Sequence, residues 1–252
     1  MDWRPVGPSE QRDVAEIGDH LLALGFPEAV LKDLTPEDIA ACGGASRVVV
    51  TTTVKTVKDG AETTTARPKN RLRITGIGVQ LPGEREKWMI FHHFLGTTDP
   101  GFYGTESIQL WPVYRDLAEG WASAGEVTGR VLYDEEGATF AAPYHSLGEQ
   151  TVPSNSIFGG GQTGTDVFAT FSMPRQGENH RGYVAYPILE RRDGYIIHSW
   201  FNYTHQQSWL QYPAMTAMES RMTDPWNRAG AFITIQDAFQ IVLDEMESWD
   251  EG

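Results

Sequence analysis

The side chains with the greatest chemical potential are seven histidines, and a metal site is the first chemistry they suggest. His92 and His93 are adjacent in the apolar stretch WMIFHHFL, so in a strand they point to opposite faces and cannot bind one ion together. His198 and His205 also fall on opposite faces of a strand, because seven residues separate them. The chain contains neither a His-x-His nor a His-x-x-x-His pair. We therefore predict no metal site.

Motifs for nucleotide binding and for nucleophilic catalysis are missing from the sequence. The glycine-rich stretch 158–166, FGGGQTGTD, lacks the Gly-Lys-Ser/Thr of a phosphate-binding loop. No Gly-x-Ser-x-Gly elbow occurs, and Cys42 has no histidine near it in sequence. The sequence predicts no cofactor and favours a protein that is not an enzyme, without excluding one.

Aromatic side chains among amides and histidines mark one candidate site. Between residues 198 and 212 this mixture suits stacking and hydrogen bonding to a sugar or a peptide, and it equally suits the rim of a protein interface. Asp166 is the last residue of the glycine-rich stretch 158–166 and could supply a carboxylate. The candidate ligand or interface residues are His198, Trp200, His205, Trp209, Gln211, Tyr212 and Asp166.

Charge and composition narrow the classes of partner. The formal charge is −14, which opposes sequence-independent binding to phosphate backbones and to anionic membranes. No run approaches the ~18 consecutive apolar residues of a spanning helix. We therefore expect no nucleic acid partner and no membrane span, and we expect a protein partner or self-association, with carbohydrate as a further candidate.

Cysteine usage and the first residues bear on the compartment. Cys42 is the only cysteine, which fits a reducing environment. The stretch MDWRPVGPSEQRD has no basic region followed by an apolar run, so it does not read as a signal peptide. The expectation is a cytoplasmic protein, with release from the cell left open.

Asp-Gly pairs between strand-like runs predict two tight hairpins. Asp193-Gly194 would join the flanking runs within 181–212, with one face packed in the core. Lys58-Asp59-Gly60 would join Val48–Val57 to Ala61–Ala66, so that Val57 faces Glu62. The predicted core face of the first hairpin comprises Val184, Tyr186, Ile188, Ile197, Phe201 and Tyr203.

Other segments complete the β pattern. The run from Trp88 to Leu95 is almost wholly apolar and predicts a central strand. The stretch Asp134–Gly137 predicts a third hairpin with a longer loop. Residues 145–166 are rich in Gly, Ser, Asn and Thr and predict a long loop.

Helical patterns bracket the strands. Residues 9–43 predict three helices, with Gly25 as a C-cap and Thr35 as an N-cap. After Pro213 the pattern again predicts helix, because apolar residues recur at spacings of three and four. The members of that stripe are Ile235, Ala238, Phe239, Val242, Met246 and Trp249.

The predicted fold is mainly β, in one domain of 252 residues. An antiparallel β-sandwich or curved sheet would span about residues 46–212, because strand follows strand without alternating helices. A helical N-terminal cap at 9–43 and a helical C-terminal segment at 213–252, with an amphipathic helix, would flank it.

Three functions fit these patterns. The favoured one is a non-catalytic β-rich binding or assembly protein, a homo-oligomer subunit that uses the Val48–Ala66 arm and the terminal helices as contacts. The alternative is a hydrolase or carbohydrate-active enzyme with a site near His198, Trp200 and Asp166, which requires those side chains to converge in one cleft. A sugar-binding module is the second alternative, and it requires a row of exposed, coplanar Trp and Tyr side chains.

Overall fold

The computed structural model describes residues 8–57, 70–97, 105–111, 121–125, 127–142, 144–152, 164–172, 176–190, 196–206 and 232–243. The helices are α1 (Pro8–Ala23), α2 (Glu28–Leu31) and α3 (Pro36–Ala40). The first strands are β1 (Arg47–Val57), β2 (Asn70–Leu81), β3 (Lys87–Gly96), β4 (Thr105–Trp111), β5 (Trp121–Ser123) and β6 (Thr128–Glu135). The others are β7 (Ala138–Ala142), β8 (Tyr144–Val152), β9 (Gly164–Ser172), β10 (Glu178–Glu190), β11 (Ile196–Gln206) and β12 (Phe232–Val242).

These strands form two antiparallel sheets, as the sequence predicts. The large sheet has seven strands in the order β1-β2-β3-β10-β6-β7, with β5 also paired to β10. The small sheet has five strands in the order β12-β11-β4-β9-β8. The predicted central strand β3 lies in the interior of the large sheet between β2 and β10, which agrees with its burial on both faces.

Two hydrophobic clusters divide the molecule into three layers. One cluster fills the space between the sheets and includes Trp88, Phe94, Phe171, Phe201 and Phe239. The second lies on the other face of the large sheet, where the helices cover it. Its members are Leu21, Phe26, Val30, Leu34, Cys42, Ala45, Ile77, Val79, Leu81, Met89, Phe91, Tyr183 and Ala185. Residues 8–45 are called the helical cap below.

The N-terminal helices begin and end as the sequence predicts. Gly25 follows α1 with φ of 94°, in the left-handed region that glycine adopts at low cost. Thr35 caps α3, because its hydroxyl accepts a hydrogen bond from the backbone N–H of Asp38 at 3.1 Å. These helices place Asp33 and Asp38 at the large sheet.

The predicted C-terminal helix is wrong over the described residues, because 232–242 form strand β12. Along this strand Ile235, Phe239 and Ile241 face the sheet interior, whereas Ala238 and Val242 are exposed. Asp237 is also buried on the inward face and breaks the apolar–polar alternation. Because this carboxylate interrupts the alternation expected of a strand, the spacing of three and four between apolar residues was the stronger pattern in the sequence. Met246 and Trp249 lie outside the described residues.

The hairpin predicted at Asp193-Gly194 is also wrong, since β10 and β11 belong to different sheets. β10 pairs with β3, β5 and β6, whereas β11 pairs with β4 and β12. Residues 191–195 lie outside the described part of the chain. The predicted core face is nevertheless confirmed, because both strands turn its members into the space between the sheets.

The predicted pairing of β1 with Ala61–Ala66 lies outside the described residues, and the structure shows β1 paired with β2, with Val57 in register with Asn70. Two further predictions on loops need correction. Residues 144–152 form strand β8 rather than loop. The turn after Glu135 is shorter than predicted, because Glu136 and Gly137 alone carry it, with φ of 50° and 82°.

Candidate functional site

Two of the predicted site residues share the outer face of the small sheet. His198 is half-buried, and the side chain of Trp200, two residues along β11, is 43% exposed. The neighbouring strand β12 presents Gln240 opposite His198 and Ala238 opposite Trp200, and both are exposed. This patch of one indole, one imidazole and one amide can stack and form hydrogen bonds.

Two other predicted residues, His205 and Asp166, lie away from this patch. His205 lies on the inner face of β11 and is buried. Asp166 lies on β9 in register with Gln150 of β8, and β4 stands between its strand and β11. Trp209, Gln211 and Tyr212 lie outside the described residues, so the row of aromatics that a sugar-binding module requires stays a prediction.

His205 pairs with a buried carboxylate. Its Nδ1 lies 2.6 Å from Oε1 of Glu106, its register partner on β4, and both residues are almost fully buried. Burial first, and then the Glu106 carboxylate, raise the pKa of the Tyr203 phenol well above its ordinary value. This pair binds two strands of the small sheet together at the end of the inter-sheet core.

A serine and a histidine also meet, but inside the core. Ser199 Oγ lies within hydrogen-bond distance of His92 Nε2 and accepts a hydrogen bond from the hydroxyl of Tyr186. All three side chains are completely buried, so a substrate cannot reach the serine. Burial lowers the pKa of His92 to about 3, so the imidazole is neutral at neutral pH. The trio therefore joins the two sheets and is not a nucleophilic centre.

Replacing Ser199 with alanine should lower the free energy of unfolding by about 1–3 kcal/mol, because it removes the partner of two buried polar groups at once. Tyr186→Phe is the matched control, since it leaves the Ser199–His92 contact in place and should cost less. Urea unfolding of both variants measures the difference. An equal or smaller loss for Ser199→Ala would contradict the bridging role.

A second buried polar cluster joins the helical cap to the large sheet. Asp33, 4% exposed, receives His93 Nε2 at 2.8 Å and Arg181 Nε at 2.7 Å on its two carboxylate oxygens. Burial alone would raise the pKa of Asp33, but the hydrogen bonds from His93 and Arg181 outweigh it and lower that pKa. We call Asp33, His93 and Arg181 the cap clamp.

Neighbouring contacts extend the cap clamp. Arg130 donates from Nε to the Asp33 carbonyl at 2.7 Å and from its terminal nitrogen to the Leu34 carbonyl at 3.0 Å. Arg181 also contacts Asp134 of β6 at 3.0 Å. The strands β3, β6 and β10 of the large sheet thus hold the segment that follows α2, through side chains that are buried or partly buried.

Asp38 makes the corresponding contacts at α3. Its carboxylate accepts hydrogen bonds from Tyr183 Oη, from Thr35 Oγ1 at 2.9 Å and from Thr128 Oγ1 at 2.7 Å. Burial, followed by the bond to Asp38, raises the pKa of the Tyr183 phenol. The Tyr183 hydroxyl is therefore a neutral donor fixed against the cap.

The thiol of Cys42 is unsuited to nucleophilic chemistry. It lies in the cap and is completely buried in the cluster between the cap and the large sheet. Burial together with the Asp38 carboxylate raises its pKa to about 12. At neutral pH the thiolate, which is the reactive form, is therefore scarce.

The Asp237 carboxylate links the two sheets at one side of the sandwich. It is 6% exposed and accepts a hydrogen bond from Thr53 Oγ1 at 3.0 Å. The ammonium group of Lys55 lies 3.4 Å from the same carboxylate oxygen. This carboxylate therefore connects the edge strands β12 and β1 across the two sheets.

Across the described residues, no three His, Cys, Asp or Glu side chains come close enough together to hold a metal ion. No described helix has the length and apolar character needed to cross a bilayer.

Sequence reasoning identified some of these polar residues and missed others. The opposite orientations predicted for His92 and His93 are confirmed, because one contacts Ser199 between the sheets and the other contacts Asp33 of the cap. Asp33, Arg181 and Ser199 were not singled out, since their partners are between 13 and 148 residues away in sequence. No local pattern marks such pairs.

Three solved structures that match this chain share at most 14% sequence identity with it. No family model matches the chain, and no curated protein matches it. A solved pore-forming protein is 6% identical with a TM-score of 0.37, covering 77% of this chain and 91% of its own. Clostridium perfringens delta-toxin is 7% identical with a TM-score of 0.37, covering 77% and 89%. AvmM, described as catalysing macrocyclization in alchivemycin A biosynthesis, is 14% identical with a TM-score of 0.26, covering 67% and 85%. Identities and TM-scores this low carry no argument about function.

Proposed function

We propose that this chain is a non-catalytic β-rich binding or assembly protein that associates with copies of itself. One contrast carries the proposal. Among the described residues, the combinations closest to a catalytic centre (Ser199 with His92, His93 with Asp33, His205 with Glu106) are buried and join layers or strands, whereas apolar side chains are exposed along sheet edges. Such a distribution suits a contact surface better than a reaction centre.

The buried groups support the non-catalytic part of the proposal. Ser199 beside His92 and Cys42 near Asp38 are the combinations closest to a nucleophilic site, and both are sealed from solvent. His205 with Glu106 is a histidine–carboxylate pair, and it too is buried. Each group stabilises packing between strands or layers.

The exposed groups support the association. Val54 is 55% exposed, Val242 is 58% exposed and Phe140 is 44% exposed, and all three lie on strands at the edge of a sheet. Edge strands carry backbone donors and acceptors that can pair with another chain. Apolar side chains at such edges add burial when a second chain joins.

Solution mass tests the proposal. Sedimentation velocity over a range of protein concentrations should show a species larger than the 28.1 kDa chain, and the larger species should grow with concentration. The runs belong at moderate salt, because two copies of charge −14 repel one another at low ionic strength. A strict monomer that captures no differently tagged copy in a pull-down would refute self-association.

A further inference from the structure

We propose that two copies of this chain associate through strand β1, which pairs antiparallel with the same strand of the second copy about a two-fold axis at Thr52. This inference rests on the proposed self-association and specifies its surface. Over the described strands, the two sheet orders end at β1, β7, β8 and β12, and β1 is the one of these whose length, charge and side chains favour pairing.

Among the described strands β1 pairs with β2 alone, and the edge it turns away from β2 is long and regular. Its register with β2 runs unbroken through all eleven residues, from Arg47 paired with Gln80 to Val57 paired with Asn70. Proteins protect edges with prolines, bulges, charges or short strands. β1 contains neither a proline nor a bulge. In contrast, the edge strand β7 has only five residues and β8 has a register shift near Tyr144.

The charged side chain within β1 does not protect its edge against pairing with a second strand. Lys55 is the only charged residue between Arg47 and the end of the strand. Its ammonium group is held 3.4 Å from the buried Asp237 carboxylate, on the side facing the small sheet. Lysine is the usual residue that repels a second strand from an edge, and here its charge is already compensated.

The side chains of β1 are self-complementary about Thr52. Val50 and Val54 are the exposed large apolar residues of this strand, at 37% and 55%, and they are equidistant from Thr52. In the proposed register, Val50 of each copy faces Val54 of the other, so two β-branched pairs form on one face. Lys55 faces Val49, and the two Lys55 side chains stay roughly 20 Å apart, given a rise of about 3.3 Å per residue.

β12 is the edge strand on the same side of the sandwich, and it fits self-pairing less well. Among the side chains of β12 that the structure describes, the exposed ones are Ala238, Gln240 and Val242, and Val242, the large apolar one of these, is the last residue of the strand. Over these described side chains, pairing β12 with itself would bury less apolar surface than pairing β1 with itself.

Charge swaps test the register. Val50→Lys/Val54→Lys places lysines opposite each other in both cross-strand pairs, and it should raise the dissociation constant of the dimer roughly tenfold or more. Val50→Lys/Val54→Glu instead pairs a lysine with a carboxylate twice and should restore dimerisation close to that of the unmodified chain. Thermal unfolding of the dilute variants checks that both still fold. The measurement is sedimentation velocity.

A disulfide gives an independent test. Directly opposed residues in antiparallel strands have Cα atoms about 4.5–5.5 Å apart, within disulfide range. Thr52→Cys should therefore form a covalent dimer under mild oxidation, whereas Val242→Cys on β12 should not. Native Cys42 does not compete because it is buried.

The outcomes separate the two proposals. If the unmodified chain associates but neither the charge swaps nor Thr52→Cys change or trap the dimer, the β1 pairing is overturned and self-association stands. A dimer trapped equally well by Val242→Cys also overturns it. A chain that is monomeric at every concentration refutes both.

Discussion

Replacing Asp33 with asparagine should loosen the helical cap and raise the rate at which Cys42 reacts with a thiol reagent roughly 100-fold. Asparagine keeps the shape of the side chain but removes the charge that receives His93 and Arg181. Removing one partner of a buried ion pair costs about 3–5 kcal/mol. The lower end of that range applies here, because Arg181 keeps its contact with Asp134. About 3 kcal/mol corresponds to a factor of roughly 100 in the population of the open state.

Cys42 is a suitable reporter of this opening. It is the only cysteine of the chain and is completely buried in the cluster beneath the cap. A reagent reaches it only when the cap opens locally or the whole chain unfolds. Urea unfolding followed by tryptophan fluorescence gives the global free energy, so the two events are measured separately.

Glu28→Gln provides the matched control for Asp33→Asn. It removes one negative charge from α2, five residues before Asp33, but the Glu28 side chain is 68% exposed and pairs with Lys32 in solvent. Exposed pairs of this kind contribute little to stability. The Cys42 labelling rate of Glu28→Gln should stay that of the unmodified chain. A rate for Asp33→Asn that also stays unchanged would show that the cap clamp does not hold the cap.

Lowering the pH should weaken the cap clamp, as Asp33→Asn does. The pKa of Asp33 is lower in the folded chain than in the unfolded chain, so its stabilisation is present above the unfolded value of about 4 and is lost as pH falls through the folded value. The pKa of His92 is likewise depressed, to about 3, so its contribution already declines as pH falls below about 6.5. Asp33→Asn removes the first contribution and leaves the second.

Local signals in the sequence predicted much of the secondary structure. The N-cap at Thr35, the left-handed Gly25 and the turn before Ala138 each depend on neighbouring residues, which the sequence displays directly. The inward face of β10 and β11 was also predictable, because alternation of side chains along a strand fixes it without knowledge of the pairing partner.

Pairing partners could not be predicted in the same way. An Asp-Gly pair such as Asp193-Gly194 predicts a reversal of the chain, but nothing in the dipeptide says whether the next strand joins the same sheet or the opposite one. The prediction of a helix where the structure has β12 failed for a related reason, which concerns Asp237. Its burial is compensated by Thr53 and Lys55, more than 180 residues earlier, so the sequence shows only a carboxylate that interrupts a strand pattern.

The cap clamp and the Ser199 bridge show the same limit in the candidate site. Each joins residues that are brought together by the stacking of three layers. The outer patch of His198 and Trp200 was predictable because both residues lie on one strand with even spacing. Its predicted companion His205 has odd spacing from them, and it lies on the inner face.

Glycines within β2 offer a signal that local reading can use. Gly76 and Gly78 alternate with Ile74, Ile77 and Val79 in a strand, and glycine inside a strand often marks a close approach of another backbone. A Cβ atom built on Gly76 would lie 2.5 Å from Cδ2 and 2.8 Å from Cβ of Phe239. The missing side chain thus sets the distance between β2 and β12.

Gly76→Ala should therefore lower the free energy of unfolding by about 2–3 kcal/mol, the upper part of the range for overpacking a core. Rotation of the Phe239 ring cannot relieve the clash, because the Phe239 Cβ is fixed to the backbone of β12. Gly78→Ala should cost less, since its nearest neighbour is the flexible end of Ile241. Urea unfolding measures both variants.

Two controls isolate the steric cause of the Gly76→Ala loss. Gly18→Ala makes the same substitution inside α1, where the nearest atom lies at 3.7 Å, and it should stabilise the chain by about 0.5–1 kcal/mol. In a Phe239→Gly background, which also removes the Cβ at 2.8 Å, Gly76→Ala should cost much less than in the unmodified chain, because all three clashing atoms are gone. An additive double-mutant cycle would mean that Gly76 and Phe239 do not set the separation of the sheets at this side of the sandwich.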